Sequence, residues 1–385
     1  DALAKIIADA GNINRDAAIP AEEKKAKIQA LFAEKINYDK LKIQAMLDLV
    51  NALYRKGDFA RALVWQKEGL TLSEKAQNIR FQIMFRNAEG TIYSALGRRV
   101  EAVQSTKAAL ELSEKLGDVG EMANSYNNLG DAYRRGGNFV RARVAFEKAL
   151  SFDRKLNFRM GLAFDYANLG LNFELMEKYD LAIEHLEKAI SISKEINSPI
   201  NIYKSLLGLG RIYIERKMPV EARKALEEGL KLAQDSGASE WEWRYHLQLG
   251  RVERMENRND AALKHFLAGI DAVEPMPRAV RPNLEGPRLE EVKWELYDEA
   301  IEILAENNQA EKAFEMAERY RGRRFLDIVS STELSFEQSE KNALMARESE
   351  LRDRLANAKD AYRKATEREK PAAAKALEDA RSAYE

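Results

Sequence analysis

A step of forty residues organises most of the chain. Starting at position 50 it meets Val50, Gly90, Gly130, Gly170, Gly210 and Gly250. Twelve residues beyond each stand Ala62, Ala102, Ala142, Ala182, Ala222 and Ala262, alanine at all six. Three residues beyond each stand Leu53, Tyr93, Tyr133, Phe173, Tyr213 and Glu253; twenty beyond stand Leu70, Leu110, Leu150, Ile190, Leu230 and Ile270. At 385 residues the chain exceeds what one compact core usually holds, and repetition is the way it grows.

The pattern has a direct physical reading. Glycine inside a helix costs about 1 kcal/mol relative to alanine, so a recurring one needs a packing reason. The expected reason is close approach between the glycine of one helix and the alanine of the next. Gly57, Gly97 and Gly137 mark the turns between the two. One such pair buries only part of its apolar face, so neighbours must stack into a solenoid. No alternating strand pattern competes. Of eight prolines, four (Pro275, Pro277, Pro282, Pro287) crowd one short segment, and the rest of the chain favours helix. The expected class is all-α.

Leu129, Gly130, Tyr133, Ala142, Phe146, Ala149 and Leu150 carry a resemblance to the tetratricopeptide-repeat family. It covers residues 41–273. It implies a right-handed α-solenoid of antiparallel helix pairs that binds protein or peptide in its concave groove. The period departs from the family's usual 34. Six extra residues lie between repeats, as in "SEKLGDVGEMA" and "DRKLNFRMGLA", and lengthen the helices. Longer repeats of this kind also occur in kinesin light chains and in bacterial peptide-sensing regulators.

The ends differ from the middle. Residues 1–40, with helical stretches at 2–10 and 21–36, read as a degenerate repeat or cap. Residues 41–273 hold six regular repeats, 274–288 a Pro-rich linker, and 289–335 a divergent helix pair (289–306 and 310–322) with Ala313 at the alanine site. Residues 336–385 read as long helices. Leu351, Leu355, Ala358, Tyr362 and Ala365 are spaced for a coiled-coil-like hairpin, and Pro371 opens a partner helix with the face Leu377, Ala380 and Tyr384. The segment "KAFEMAERYRGRRFLDIV" resembles the junction of bacterial tetratricopeptide proteins that carry a C-terminal CHAT (caspase-like) domain. That resemblance implies the recognition arm of a larger protein, with the catalytic domain beyond Glu385.

Within the chain no chemistry is expected. There are no cysteines and three histidines, His185, His246 and His265. His185 and His265 precede packing positions, and His265 shares a helix with Asp260 without a nucleophile nearby. No phosphate loop, metal-binding or nucleophile motif appears. The chain reads as a non-enzyme without metal or cofactor. A net charge of -1 and the lack of a long apolar run argue against nucleic acid and membrane, and a cytoplasmic setting is expected.

The groove lining follows from offsets to the glycine site that share one helical face. Six before it are Gln44, Met84, Asn124, Phe164, Lys204 and Arg244. Three before are Leu47, Asn87, Asn127, Ala167, Leu207 and Leu247. One after are Asn51, Thr91, Asp131, Leu171, Arg211 and Arg251. Four after are Tyr54, Ser94, Arg134, Glu174, Ile214 and Arg254. The middle is amide-rich (Asn87, Asn124 and Asn127, with Asn128 and Asn168 beside them), bordered by Asp131 and Arg134. Amides suit an extended peptide backbone; hydrogen bonding within the repeats is the alternative. Lys204, Arg211, Arg244, Arg251 and Arg254 form a basic row that suits an acidic segment of the partner. Its alternative is pairing with Glu215, Glu242 and Glu253. Trp241 and Trp243 read as packing residues. A protein- or peptide-binding scaffold is the leading expectation. A structural scaffold that self-associates through its C-terminal helices comes next, and an RNA-binding solenoid ranks last.

Overall fold

The computed structural model describes residues 21–274 and 288–331, scattered positions between 347 and 362, and 369–384. The helices at 2–10, the Pro-rich linker and most of 338–369 lie outside the described residues, and with them the coiled-coil-like pairing. Helices follow one another with turns of two or three residues. They are α1 (Ala21–Arg55), α2 (Phe59–Lys75), α3 (Ile79–Ala95), α4 (Arg99–Leu116), α5 (Val119–Arg135) and α6 (Phe139–Leu156). Next come α7 (Arg159–Leu175), α8 (Tyr179–Glu195), α9 (Pro199–Glu215), α10 (Pro219–Asp235), α11 (Ser239–Met255) and α12 (Asn259–Val273). After the linker come α13 (Arg288–Glu306), α14 (Ala310–Ser331) and α15 (Lys370–Tyr384). The chain forms two compact units, residues 1–317 and 318–385.

In the first unit each helix from α1 to α12 packs on the next. From α1 to α13 the odd-numbered helices also pack on one another in succession. Even-numbered helices of different repeats do not meet among the described residues. The odd helices therefore form an inner layer and the even ones an outer layer, which is a right-handed α-solenoid.

The six alanines are all at most 1% exposed, so the helices touch there. The glycine does something the sequence reading did not anticipate. A Cβ at Gly130 would lie 2.5 Å from the Phe146 ring, and one at Gly170 would lie 2.6 Å from Leu186 Cγ. Gly90, Gly210 and Gly250 seat Thr106, Leu226 and Phe266 in the same way. The glycine thus makes a socket for the side chain one turn after the alanine, and at Gly90 the Ala102 carbonyl is a close neighbour as well, 3.1 Å from such a Cβ.

The turns keep a shorter period than the repeat. Positive φ falls at residues 57, 77, 97, 117, 137, 157, 177, 197, 217, 237 and 257, one every twenty residues. In the turns after odd helices, the next backbone N–H returns to the carbonyl of the aromatic or apolar position. Asn138 N donates to Tyr133 O at 2.8 Å and Met218 N to Tyr213 O at 2.8 Å. Asp58, Asn78, Asp118 and Asn138 then cap the following helices through side-chain oxygens. The inserted residues therefore extend both helices of a pair to 17 or 18 residues.

Two boundaries differ from expectation. The cap helix does not stop at 36. It runs unbroken to Arg55 as α1, because no glycine or proline interrupts it. The second helix of the divergent pair runs past 322 to Ser331, since Gly322 sits mid-helix without a turn. In the second unit Pro371 occupies the first turn of α15, where its missing N–H costs nothing. Ala373 and Leu377 are half-buried and Ala380 is buried, all on one face.

Two substitutions test this account by urea denaturation followed by circular dichroism. Gly130→Val should cost about 2 kcal/mol, because the Phe146 ring occupies the space. Lys217→Gly should gain about 1 kcal/mol, because Lys217 holds φ 56 in the left-handed region. Unchanged midpoints would contradict the socket and the turn assignments respectively.

Candidate functional site

The inner layer encloses an open pocket of about 550 Å³ formed by α1, α3, α5, α6 and α7. Three of the four predicted lining rows are present. Met84, Asn124 and Phe164 come from one, Leu47, Asn87 and Asn127 from the second, and Asn51 and Thr91 from the third. Asn128 also lines it, whereas Asn168 lies behind, buried. Phe158 and Met160, at the start of α7, complete one wall at 50% and 45% exposure.

The amides divide by role. Asn127 Nδ2 donates to Asp165 Oδ1 at 2.5 Å, and Asn168 Nδ2 donates to Asn127 Oδ1 at 2.7 Å, so α5 and α7 are stitched together. Asn87 Nδ2 donates to Ser125 Oγ at 3.4 Å, while its buried Oδ1 receives no hydrogen bond. Asn124 is exposed on the pocket wall and donates to the Glu121 carboxylate. Asp131 is gripped by Arg134 (2.5 Å) and Arg135 (2.6 Å). Burial pushes its carboxyl up, but Arg135 and Arg134 outweigh that and hold it well below the usual carboxylate range. Asp131 and Arg134 are therefore paired with each other.

Beneath Asn127 lies a pair that the sequence reading missed. Asp153 on α6 and Asp165 on α7 are 5% and 0% exposed, and their carboxyls hydrogen-bond to each other. Burial raises Asp165 most, the neighbouring Asp153 carboxyl adds to the rise, and the pKa reaches about 8. Burial raises Asp153 as well. Glu121, also on the pocket wall, is raised by burial and by Asp118, against Arg80. The signal was available in the register. At these two positions neighbouring repeats carry Ser113 with Ser125 and Ser193 with Ser205. Only here are both acidic, and only here does Gly161 stand where others have Phe81, Glu121, Asn201 and Trp241. A Cβ at Gly161 would collide with the Asp153 carboxylate.

The basic row takes internal partners. Arg211 grips Glu174 with two bonds of 2.6 and 2.8 Å. Lys204 lies 5.8 Å from the centre of the Phe164 ring. Arg244 is buried against Trp241 and Trp243, at 5.0 and 4.7 Å, and donates to Glu240 O. Arg251 binds Glu295 and Glu299. Arg254 binds Glu299 and Glu302, each at 2.8 Å, and Glu306 at 3.2 Å. These acids come from Glu174 and from α13, not from Glu215, Glu242 or Glu253; Glu253 is held by Arg223 and Arg258. None of the five cations lines the pocket. Trp241 and Trp243 pack as expected, with Tyr203 5.7 Å from Trp241.

His265 meets His246 rather than Asp260, Nδ1 to Nδ1 at 3.1 Å, and burial together with this neighbour holds His246 down to about 4. His185 packs on Phe173 and Tyr166. Among the described residues no group of three or more His, Asp or Glu is arranged for a metal, and no helix is long and apolar enough to cross a membrane.

Family comparison matches the tetratricopeptide repeat at residues 43–76, 83–155 and 166–196. The repeats are tetratricopeptide repeats. Similar solved structures support the fold. A signal-transduction ATPase with a tetratricopeptide-repeat sensor from Pyrococcus horikoshii has a TM-score of 0.54 at 16% identity, covering 96% of this chain and 53% of that one. The apo form of RapI has 0.53 at 11%, covering 88% and 97%. The apo quorum sensor NprR from B. thuringiensis has 0.50 at 14%, covering 83% and 99%. Comparison with curated proteins returned no match.

The acid pair makes stability depend on pH. Asp165 keeps its proton in the folded state up to about 8, whereas an unfolded Asp loses it near 3.9. Its contribution is complete below the unfolded value and is lost as pH rises towards the folded one, by at most about 1.4 kcal/mol per pH unit. Asp165→Asn should flatten urea stability between pH 5 and 8.5 and exceed wild type at the upper end. Parallel profiles would refute the shared proton.

Proposed function

We propose that this tetratricopeptide scaffold binds an extended peptide segment of a protein partner in the pocket on the inner face of α3, α5 and α7. One observation carries the reading. The pocket is lined where the repeats vary while their packing skeleton stays constant, and it mixes amides with solvent-exposed apolar side chains. An amide offers both a donor and an acceptor, as a peptide backbone requires. Met84, Phe158, Met160 and Phe164 offer seats for apolar side chains. A volume of about 550 Å³ is in the range of ligand sites. In this reading the chain is the recognition arm of a larger protein, and the junction within α14 supports a CHAT-type peptidase as the domain it serves.

The test uses the full chain, immobilised, and a random decapeptide library. Met84→Arg and Asn124→Trp should each cut peptide retention at least tenfold without moving the melting temperature. Charge reversal at Arg251 and Arg254 should leave retention unchanged, because these side chains are engaged by α13. Equal retention by the two pocket variants and wild type would sink the proposal.

A further inference from the structure

The polarity of the pocket narrows the ligand further. Two carboxyls line it, Glu121 and Asp153, and no lysine or arginine does. Asp165 sits directly behind Asp153, fully buried. The cations of the surrounding helices are engaged by groups of the fold, and of them Arg80 alone is paired with a lining carboxyl. Arg154 on α6 donates to the Tyr166 hydroxyl at 2.7 Å. Lys188 on α8 lies over the Tyr166 ring and Lys204 on α9 over the Phe164 ring, while His185 packs on Tyr166. Arg211 on α9 is on Glu174. Arg80 on α3, largely exposed, binds Asp118 and reaches Glu121 at 3.6 Å. Asn127 on α5 supplies the acid pair with a neutral donor only.

The stacking of repeats does not require this charge. The same two positions are filled by serine pairs in the repeats on either side, and those repeats stack in the same way. Burying two carboxyls is costly, so an acid pair that packing does not need points to a ligand. A second, independent observation agrees in sign. Asn87 lines the same pocket, is nine-tenths buried, and its Oδ1 receives no hydrogen bond. The polar atom left over on this wall is an acceptor, and it calls for a ligand that donates.

We infer that the floor of the pocket takes a positively charged nitrogen of the bound peptide, an ammonium or a guanidinium, against Glu121 and Asp153, with an apolar neighbour packed on Phe158 and Met160. An ammonium brings three donors and a guanidinium five, and neither brings an acceptor. This inference rests on the reading of the pocket as a peptide site and adds its chemistry. It also reverses the charge that the basic row suggested for the partner. Without ligand the Asp153–Asp165 pair holds one proton at neutral pH. An arriving cation replaces that proton, which leaves the pair for solvent, so one positive charge exchanges for another. Affinity therefore rises with pH below about 8 and levels off above it.

The experiment uses the full chain and decapeptide pools with a fixed centre of Lys, Arg, norleucine or Glu, each with a free or an acetylated N-terminus. Wild type should retain acetylated Lys or Arg pools at least tenfold above norleucine. If the nitrogen is instead the peptide's own amino group, free pools should exceed acetylated ones by that factor. Glu121→Gln and Asp153→Asn should abolish the preference, with melting curves as the check on folding. If Asp153→Asn does not fold, Glu121→Gln decides alone, since it stands outside the shared-proton pair. Retention of the acetylated Lys pool should rise up to about tenfold per pH unit from pH 6 to 8. Equal retention of norleucine, Glu and Lys pools, free or acetylated, would overturn the cation site while leaving the peptide groove standing. Retention of no pool at all would overturn both.

Discussion

Everything in the array depends on one contact, the seating of a side chain from an outer helix in a glycine socket on the inner helix before it. Phe146 in Gly130, Leu186 in Gly170, Leu226 in Gly210 and Phe266 in Gly250 are four instances. With a fully buried alanine one turn earlier, the contact sets how closely and at what angle the two helices lie. A contact repeated at fixed spacing gives a constant rotation per repeat, and a constant rotation gives a superhelix. The inner face is a by-product of that geometry, and its side chains are free to vary because the sockets lie on the other side of the helix.

Much of this was legible in the sequence because packing recurs with the chain. Six alanines in register and five glycines expose the skeleton, and offsets from the glycine find the inner face, including eight of the residues that line the pocket. What was hidden depends on distance along the chain. The acids that hold Arg254 lie up to 52 residues away, beyond a Pro-rich segment and out of phase with the repeat. No local scan would pair them, so the basic row looked available. The Asp153–Asp165 pair was hidden for another reason. Each acid, taken alone, is one charge in a chain in which 32% of residues are charged. They become conspicuous only when the repeats are aligned and serine is seen to serve in their place.

The same comparison separates two kinds of polar burial. The Asn168–Asn127–Asp165 chain of hydrogen bonds ties α5 to α7 and leaves each amide with a partner. The Arg251 and Arg254 pairs fasten α13 to α11 through charges that remain partly in water. Both are satisfied within the fold. The pocket differs because its two lining carboxyls share one sign and the unpartnered Asn87 Oδ1 beside them is an acceptor as well.

The turn that recurs every twenty residues has a consequence for how such a chain can change length. Inner and outer helices are nearly equal in length and close with the same left-handed residue, so each is one unit in a string. A unit's place in the inner or outer layer is set by parity alone. Deleting one unit would exchange the layers for everything downstream, turning groove residues to the outside and sockets to the inside. Deleting two would shorten the array by one repeat and preserve every later contact. The array can therefore gain or lose length only in even steps, and an odd step is a frameshift written in helices.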